Sequence, residues 1–424
     1  MSIIYKGHAL DVLKTLPSES VQMCATSPPY YGLRDYKCPP ATFGDGWTGQ
    51  LGHESTPDLF VAHLVEIFAE VRRVLTPSGV LFVNMGDSYN GSGGAGGDYA
   101  AGGIREGQPK YKGRKLGGMK PKDLIGVPWM LAFALRADGW YLRSEIIWAK
   151  GVSFCRTYSG SCMPESARDR PTSAHEKVFL LSKGQTYFYD CDAVREPRAD
   201  ARGGDPGAAQ TKYSGTVSSG AQRYSGETKP KTSGRNLRNV WTINPKAYRG
   251  AHFAVWPPKL VEPMIQAGSS VRGCCPVCLA PWSRVVEKRR DLEPGRQTKG
   301  LGSTFNDACL SSRKARDGAE AVSGLHSLST ITTTGWRPTC DHDAAPIPCT
   351  VLDPFCGSGT TGIVAVRHRR EFIGIDINGG DVDLGGHTAV DRIDAAELGQ
   401  DLAEHQAGQT SLFSVLEHRH GDEG

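Results

Sequence analysis

Two short runs in this 424-residue chain carry chemistry that their neighbours do not. The first is Asp353-Pro354-Phe355-Cys356-Gly357-Ser358-Gly359-Thr360-Thr361-Gly362, which follows an apolar strand and opens a helix. Gly357, Gly359 and Gly362 fit G-x-G-x-x-G, and Asp376 ends the next strand about 20 residues past the first glycine. Glycines there let the backbone approach a ligand, and an acid at the second strand tip takes ribose hydroxyls. On its face this is a dinucleotide fingerprint, and an NAD-dependent oxidoreductase is one reading of it. Two details favour another nucleoside. Asp353 stands just before the loop, where a carboxylate repels a pyrophosphate but suits a cationic amino group. Only one further strand, 372–377, follows before the chain turns acidic, so a dinucleotide fold starting here lacks its second half. S-adenosylmethionine has an ammonium, a sulfonium and a ribose, and no phosphate.

The second run is Thr26-Ser27-Pro28-Pro29-Tyr30-Tyr31, which ends an early strand. Alone, two prolines after a strand only stop it. Beside a methyl donor the run reads as a pocket for a nucleobase amine. Such an amine is a poor nucleophile, because its lone pair is delocalised into the ring. Acceptors for both amine hydrogens favour a tetrahedral nitrogen, and Ser27 Oγ and the Pro28 carbonyl are placed to supply them. Tyr30 is suited to stack on a base taken out of the duplex. In-line attack on a sulfonium methyl then needs positioning more than acid–base power.

These runs need a sheet whose strand tips converge. The first third of the chain alternates strand and helix: a strand over 21–26, a helix over 59–75 ending at Pro77-Ser78-Gly79, a strand over 80–84, a helix over 123–138, and strands over 141–149 and 177–182. Later come a helix over 257–267, a strand over 349–355, a helix over 362–368 and the strand at 372–377. Strands separated by helices predict an α/β sheet, doubly wound and mostly parallel. Trp129, Trp140 and Trp148 read as core, and Cys24 and Cys356 as small packing residues.

The pairing of TSPPY with DPFCGSGTT resembles the DNA amino-methyltransferases that use S-adenosylmethionine. The catalytic run precedes the cofactor run, as in the circularly permuted β class. The segments GDSY (86–89), DLIGVPW (123–129), GWYLRSEIIWAK (139–150), RPTSAHEKVFLL (170–181) and HFAVWPPKLVEPM (252–264) are similar to the family's intermediate segments. The resemblance implies a Rossmann-like methyltransferase sheet. It places Ser27, Pro28, Pro29 and Tyr30 in the base pocket, and Asp353, Phe355, Gly357, Gly359 and Thr360 around the methionine end of the cofactor. It assigns Asp376 to the ribose and Phe253 to a closing segment. Glu176 is expected to make hydrogen bonds at the sheet edge. Ser27 at the head of the pocket implies N4 of cytosine, with N6 of adenine as the alternative. C5 methylation is disfavoured: the sole Pro-Cys, Pro348-Cys349, is followed by Thr350. Gly7-His8-Ala9 departs from the family, which carries an acid in that stretch; Asp11 is close. A DNA-binding protein that has lost its enzyme activity is the remaining alternative, against which the intact Ser27, Tyr30, Asp353 and Asp376 argue.

Charge is uneven along the chain. Residues 102–122 hold seven Lys/Arg and one acid, and 193–250 hold eleven and four, with Tyr213, Tyr224 and Tyr248 interspersed. That pattern suits double-stranded DNA. Residues 379–424 hold ten acids and two basic residues and should face away from a polyanion. No apolar run approaches the ~20 residues that span a bilayer, and a signal-peptide layout is lacking, so a cytoplasmic protein without a membrane partner is expected. A cognate restriction endonuclease is a possible partner.

The twelve cysteines are scattered, but Cys274, Cys275, Cys278, Cys340 and Cys349 lie within one late segment with Cys309 inside it, and in a long cytosolic chain such a cluster suggests metal rather than disulfides. Cys275-Pro276-Val277-Cys278 is half of a zinc knuckle, and Cys340 with His342 or Cys349 would complete it as a structural site. The resulting division is a catalytic half (1–192), a target-recognition insertion (193–250), a cofactor-closing segment (251–272), a zinc-binding insertion (273–349), a cofactor-binding half (350–400) and an acidic tail (401–424).

Overall fold

The computed structural model describes residues 2–33, 38–91, 119–154, 160, 162, 165, 167–196, 234–245, 256–293, 326–377 and 389–397. Phe253, the tail at 401–424 and much of both basic segments lie outside the described residues. The chain opens with β1 (Ser2–Lys6), α1 (Ala9–Thr15), β2 (Val21–Thr26), β3 (Ala41–Thr42) and β4 (Thr48–Gly49). It continues through α2 (Pro57–Val74), β5 (Leu75–Met85), α3 (Val127–Ala137), β6 (Tyr141–Ala149), β7 (His175–Ser182), β8 (Val240–Thr242) and α4 (Pro258–Gly268). It closes with β9 (Ser283–Glu293), β10 (His326–Arg337), β11 (Thr350–Asp353), α5 (Thr360–Arg367), β12 (Glu371–Asp376) and α6 (Ala389–Glu397).

Eight strands form one sheet in the order β1-β12-β11-β2-β5-β7-β6-β8. Neighbours pair in parallel except β7, which runs against both β5 and β6. Alternate residues of β5 feed two cores. Leu81 and Val83 join Leu10, Leu13, Phe60, Leu64, Phe68, Leu131 and Leu135, from α1, α2 and α3. Val80 and Phe82 join Leu260, Met264, Ile363, Val364 and Ile393, from α4, α5 and α6. The sheet is therefore doubly wound, with helices on both faces. All six residues of β2 are buried, as expected of a central parallel strand.

Local chemistry sets the element ends. Thr56 Oγ1 accepts from Leu59 N at 3.2 Å and Pro57 sits in the first turn, so α2 starts there. Its end differs from the expected turn at 77–79, because the chain passes directly into β5. Val21 pairs with Leu75 and Met23 with Val80, so residues 76–79 bulge within the strand rather than precede it. Helix α3 begins later than the expected 123, behind Gly126 at φ 84°. Strand β8 lies where a loop was expected; three β-forming residues are too short to show a period, yet they pair with β6. Trp140 and Trp148 are buried, whereas Trp129, expected in the core, is 37% exposed. Its ring carries the Lys177 ammonium 5.2 Å from its centroid, because its position on α3 faces outward.

The chain folds as two compact units. The first comprises Met1–Val194, Leu237–Ser283 and Arg337–Gly424. The second comprises Arg195–Asn236 and Arg284–Trp336. The second contains most of β9 and β10, which among the described strands pair with each other alone. Residues 273–334 are low in apolar periodicity, so within the expected insertion at 273–349 no strand was anticipated.

Candidate active site

Among the described residues, the sequence-marked base-pocket and cofactor positions stand at the carboxyl ends of the parallel strands. Strands β1, β12, β11, β2 and β5 all end there, and the antiparallel β7 begins there, with Met85 paired to Lys177. This is the edge at which open α/β sheets take their ligands.

Asp353 ends β11 and is 2% exposed. Its Oδ1 accepts from Thr26 Oγ1 at 2.6 Å and from Phe355 N at 3.1 Å, and its Oδ2 accepts from Thr361 Oγ1 at 2.5 Å. The two sequence runs are thus tied together by Thr26, the residue before Ser27. Burial pushes the Asp353 carboxyl up to about 6, against the pull of those three donors. The carboxylate is spent on the loop itself, so it shapes the loop rather than presenting a bare charge. Gly357 and Gly359 are left-handed (φ 47° and 74°), which lets the chain double back before α5. Cys356 N donates to Ile375 O and Arg392 Nη1 donates to Ser358 O, fixing the loop to β12 and to α6. Gly362 serves packing: a Cβ there would meet Ile393 Cδ1 at 2.5 Å and Phe372 Cδ1 at 2.7 Å. Phe355 is half-buried against the first core, and Thr360 is buried beside Ser358. Asp376 ends β12, half-buried, one strand over from Asp353.

Ser27, Pro28, Pro29 and Tyr30 continue from β2. Pro28 is buried, and Ser27, Pro29 and Tyr30 are half-buried. Ser27 Oγ donates to Asn84 Oδ1 at 3.2 Å. Tyr30 Oη lies 2.6 Å from Glu176 Oε2 and 2.9 Å from Asn84 Oδ1. Lys150 Nζ pairs with the other oxygen of Glu176. Asn84 is oriented by donating Nδ2 to Lys177 O at 3.1 Å. Gly86 backs the Tyr30 ring, since a Cβ would lie 2.4 Å from Cε2 and 2.8 Å from Cδ2. The adjacent Asp87 takes the backbone N–H groups of Gly126 and Val127 and so caps α3.

Sequence reasoning missed Asn84, Lys150 and Gly86 as partners of the pocket and Thr26 and Thr361 as partners of Asp353. One signal was available for Asn84: it is a lone amide at the end of an otherwise apolar strand. His8, at the departure from the family pattern, lies edge-on to Phe43 with centroids 5.4 Å apart. Cys24 and Cys356 are buried, and burial pushes both thiols well above their ordinary range, which suits packing and not thiolate attack. Cys275, Cys278, Cys340 and His342 converge, with their ligand atoms all within 4.8 Å of one another. Cys349 instead pairs with the Cys274 thiol.

The chain is similar to known proteins over most of its length. Residues 21–275 and 349–385 match the DNA methylase family. The Type II methyltransferase M.Cfr9I of Citrobacter freundii is 34% identical over 406 residues, covering 93% of this chain and 91% of its own. The Type II methyltransferase M.SmaI of Serratia marcescens is 34% identical over 382 residues, covering 88% and 86%. Among solved structures, the cytosine-N4-specific PvuII DNA methyltransferase aligns with a TM-score of 0.44 at 14% identity, covering 94% of this chain and 93% of its own. With a family match over most of its length and relatives this similar end to end, the chain belongs to the DNA methylases, the amino-methyltransferases that take their methyl group from S-adenosylmethionine.

Proposed function

We propose that the chain methylates the exocyclic N4 of cytosine at a defined sequence in duplex DNA, acting on a base turned out of the helix. The observation that carries the choice of base is Ser27. Its proton is directed to Asn84, which leaves its lone pairs to accept from the amine. The resemblance links serine at this position to cytosine. Tyr30, tethered by Glu176 and backed by Gly86, offers the base a stacking surface in a fixed orientation. Pro28 and Pro29 stiffen the backbone between them.

The donor set suits S-adenosylmethionine. The Asp376 carboxylate suits a ribose diol, the loop at 354–359 suits the amino-acid end, and Phe355 and the buried Pro28 give the cleft apolar surface. When bound, that group supplies an electrophilic methyl on sulfonium. The amine lone pair would form the new N–C bond as the methyl–sulfur bond breaks, the sulfonium leaving as a neutral thioether and one amine proton passing to solvent. The protein's contribution is alignment, with Asp353 holding the loop and Ser27 and Tyr30 holding the base. Phe253 is assigned to closing the cleft by the family resemblance. Among the described residues no helix is long and apolar enough to cross a membrane. A cytoplasmic enzyme, paired with a restriction endonuclease of the same specificity, accords with the Type II relatives.

The test is incubation with methyl-labelled S-adenosylmethionine and unmethylated duplex DNA, followed by nucleoside mass spectrometry. N4-methylcytosine is expected. N6-methyladenine would overturn the base and keep the site. No methylated nucleoside would overturn the proposal.

A further inference from the structure

Cys275, Cys278, Cys340 and His342 serve no part of methyl transfer. They sit at the other edge of the sheet. Gln22, near the amino end of β2, ties the knuckle backbone to the sheet: its Oε1 accepts from Thr350 N at 2.6 Å, and its Nε2 donates to Leu279 O, the residue after Cys278, at 3.5 Å. Thr350 begins β11 and Asp353 ends it, so a strand length of ~10 Å separates the two edges.

The local backbone is that of a metal knuckle. Leu279 N donates to Cys275 O and Cys275 N to Ala280 O, both at 2.9 Å, with Leu279 left-handed at φ 58°. Val277 N points at Cys275 Sγ, 3.4 Å away. The second pair arrives on a separate stretch, held by Ile347 N to Cys274 O at 2.9 Å and by Thr339 Oγ1 to Pro281 O at 2.7 Å. Cys278 and His342 are exposed. Apolar burial therefore does not explain why three thiols and an imidazole meet there. In a tetrahedral Cys3His zinc site the ligand atoms stand ~3.5–3.8 Å apart. The observed 4.8 Å limit leaves about 1 Å of side-chain closure.

We propose that these four residues bind one zinc ion, and that the ion clamps the segment entering the β9–β10 hairpin to the segment leaving it. Cys278 precedes β9 by five residues and Cys340 follows β10 by three. Between them lies chain outside the family match, which stops at 275 and resumes at 349. All four positions are filled by protein, so the site is closed and structural.

The experiment is metal analysis of the full-length protein, purified with reductant and without added metal, by elemental and native mass spectrometry. About one zinc per chain is expected, released stoichiometrically by a mercurial. Cys278→Ser and Cys340→Ser should lose the zinc and open the hairpin to protease, while binding of S-adenosylmethionine stays within about twofold. His342→Cys keeps four ligands and should retain zinc, which separates ligand loss from misfolding. Less than about 0.1 zinc per chain, a disulfide among these cysteines under reductant, or zinc undiminished in Cys278→Ser and Cys340→Ser would each overturn the proposal.

Discussion

Gly86→Ala is the sharpest perturbation of the base pocket. Gly86 is not in the left-handed region, so alanine adds no backbone strain and the effect is steric. The new methyl would lie 2.4 Å from Tyr30 Cε2, and ordinary contact begins at 3.4 Å. The ring must therefore move by about 1 Å, and the 2.6 Å bond from Tyr30 Oη to Glu176 cannot survive that shift unchanged. A hydrogen bond to a charged group contributes about 1.5–3 kcal/mol, and a displacement of about 1 Å at a reacting centre can cost about 100-fold. We expect kcat/KM for DNA methylation to fall about 10- to 100-fold. The Kd for S-adenosylmethionine, measured by calorimetry, should move less than twofold, because the cofactor loop is tied to β12 and α6 instead. Tyr30→Phe removes the hydroxyl and leaves the ring, so its loss should be smaller, about tenfold or less. A Gly86→Ala enzyme within threefold of the parent, with Tm unchanged, would refute the claim that this ring must be held in place.

Four further outcomes follow from the same geometry. Glu176→Gln should lower kcat with little change in cofactor affinity, since it removes the charge that Lys150 balances beside Tyr30; equal loss in both would count against a positioning role. Asp353 is raised to about 6 by burial, so its stabilising contribution is full below its ordinary value near 3.8 and is lost as pH rises through about 6. That amounts to about 3 kcal/mol at most; the Tm of the parent relative to Asp353→Asn should fall between about pH 4 and pH 7, and a flat difference rejects the assignment. Gly362→Ala should cost about 1–3 kcal/mol in denaturant unfolding, because its methyl would overlap Phe372 and Ile393. DNA affinity should drop steeply with salt if the basic segments 102–122 and 193–250 meet phosphates; an equilibrium titration indifferent to salt excludes that role.

What the sequence made legible is what is local in it. The glycine loop with Asp353, the strand tip at Asp376, the Ser27–Tyr30 run and the cysteine–histidine spacing all announce themselves within a few residues. What escaped is which partners the sheet assembles from afar, even where, as for Glu176, a hydrogen bond was expected. Glu176 meets Tyr30 from 146 residues away because β7 runs antiparallel to β5. Thr26 meets Asp353 across 327 residues because β2 lies beside β11. The bulge at 76–79 was hidden for a different reason: Pro77-Ser78-Gly79 has the composition of a turn, and only pairing with β2 extends it. Whether His342 or Cys349 would join Cys275, Cys278 and Cys340 was equally open in the sequence; the fold brings His342 to them and sets Cys349 beside Cys274.

Strand β1 pairs with β12, so Ser2 lies opposite Phe372, about 370 residues later in the chain. During synthesis β1 must wait for β12, made about 370 residues later, before it gains its neighbour among the described strands of the sheet. The base pocket, whose strands all precede residue 183, can assemble long before the donor cleft closes. Nascent chains should accordingly shield the Tyr30 region from protease early and acquire cofactor affinity in one late step. A substitution that weakens the β1–β12 pairing would act on that final step, and thus on the yield of competent enzyme, without touching a residue of the reaction centre.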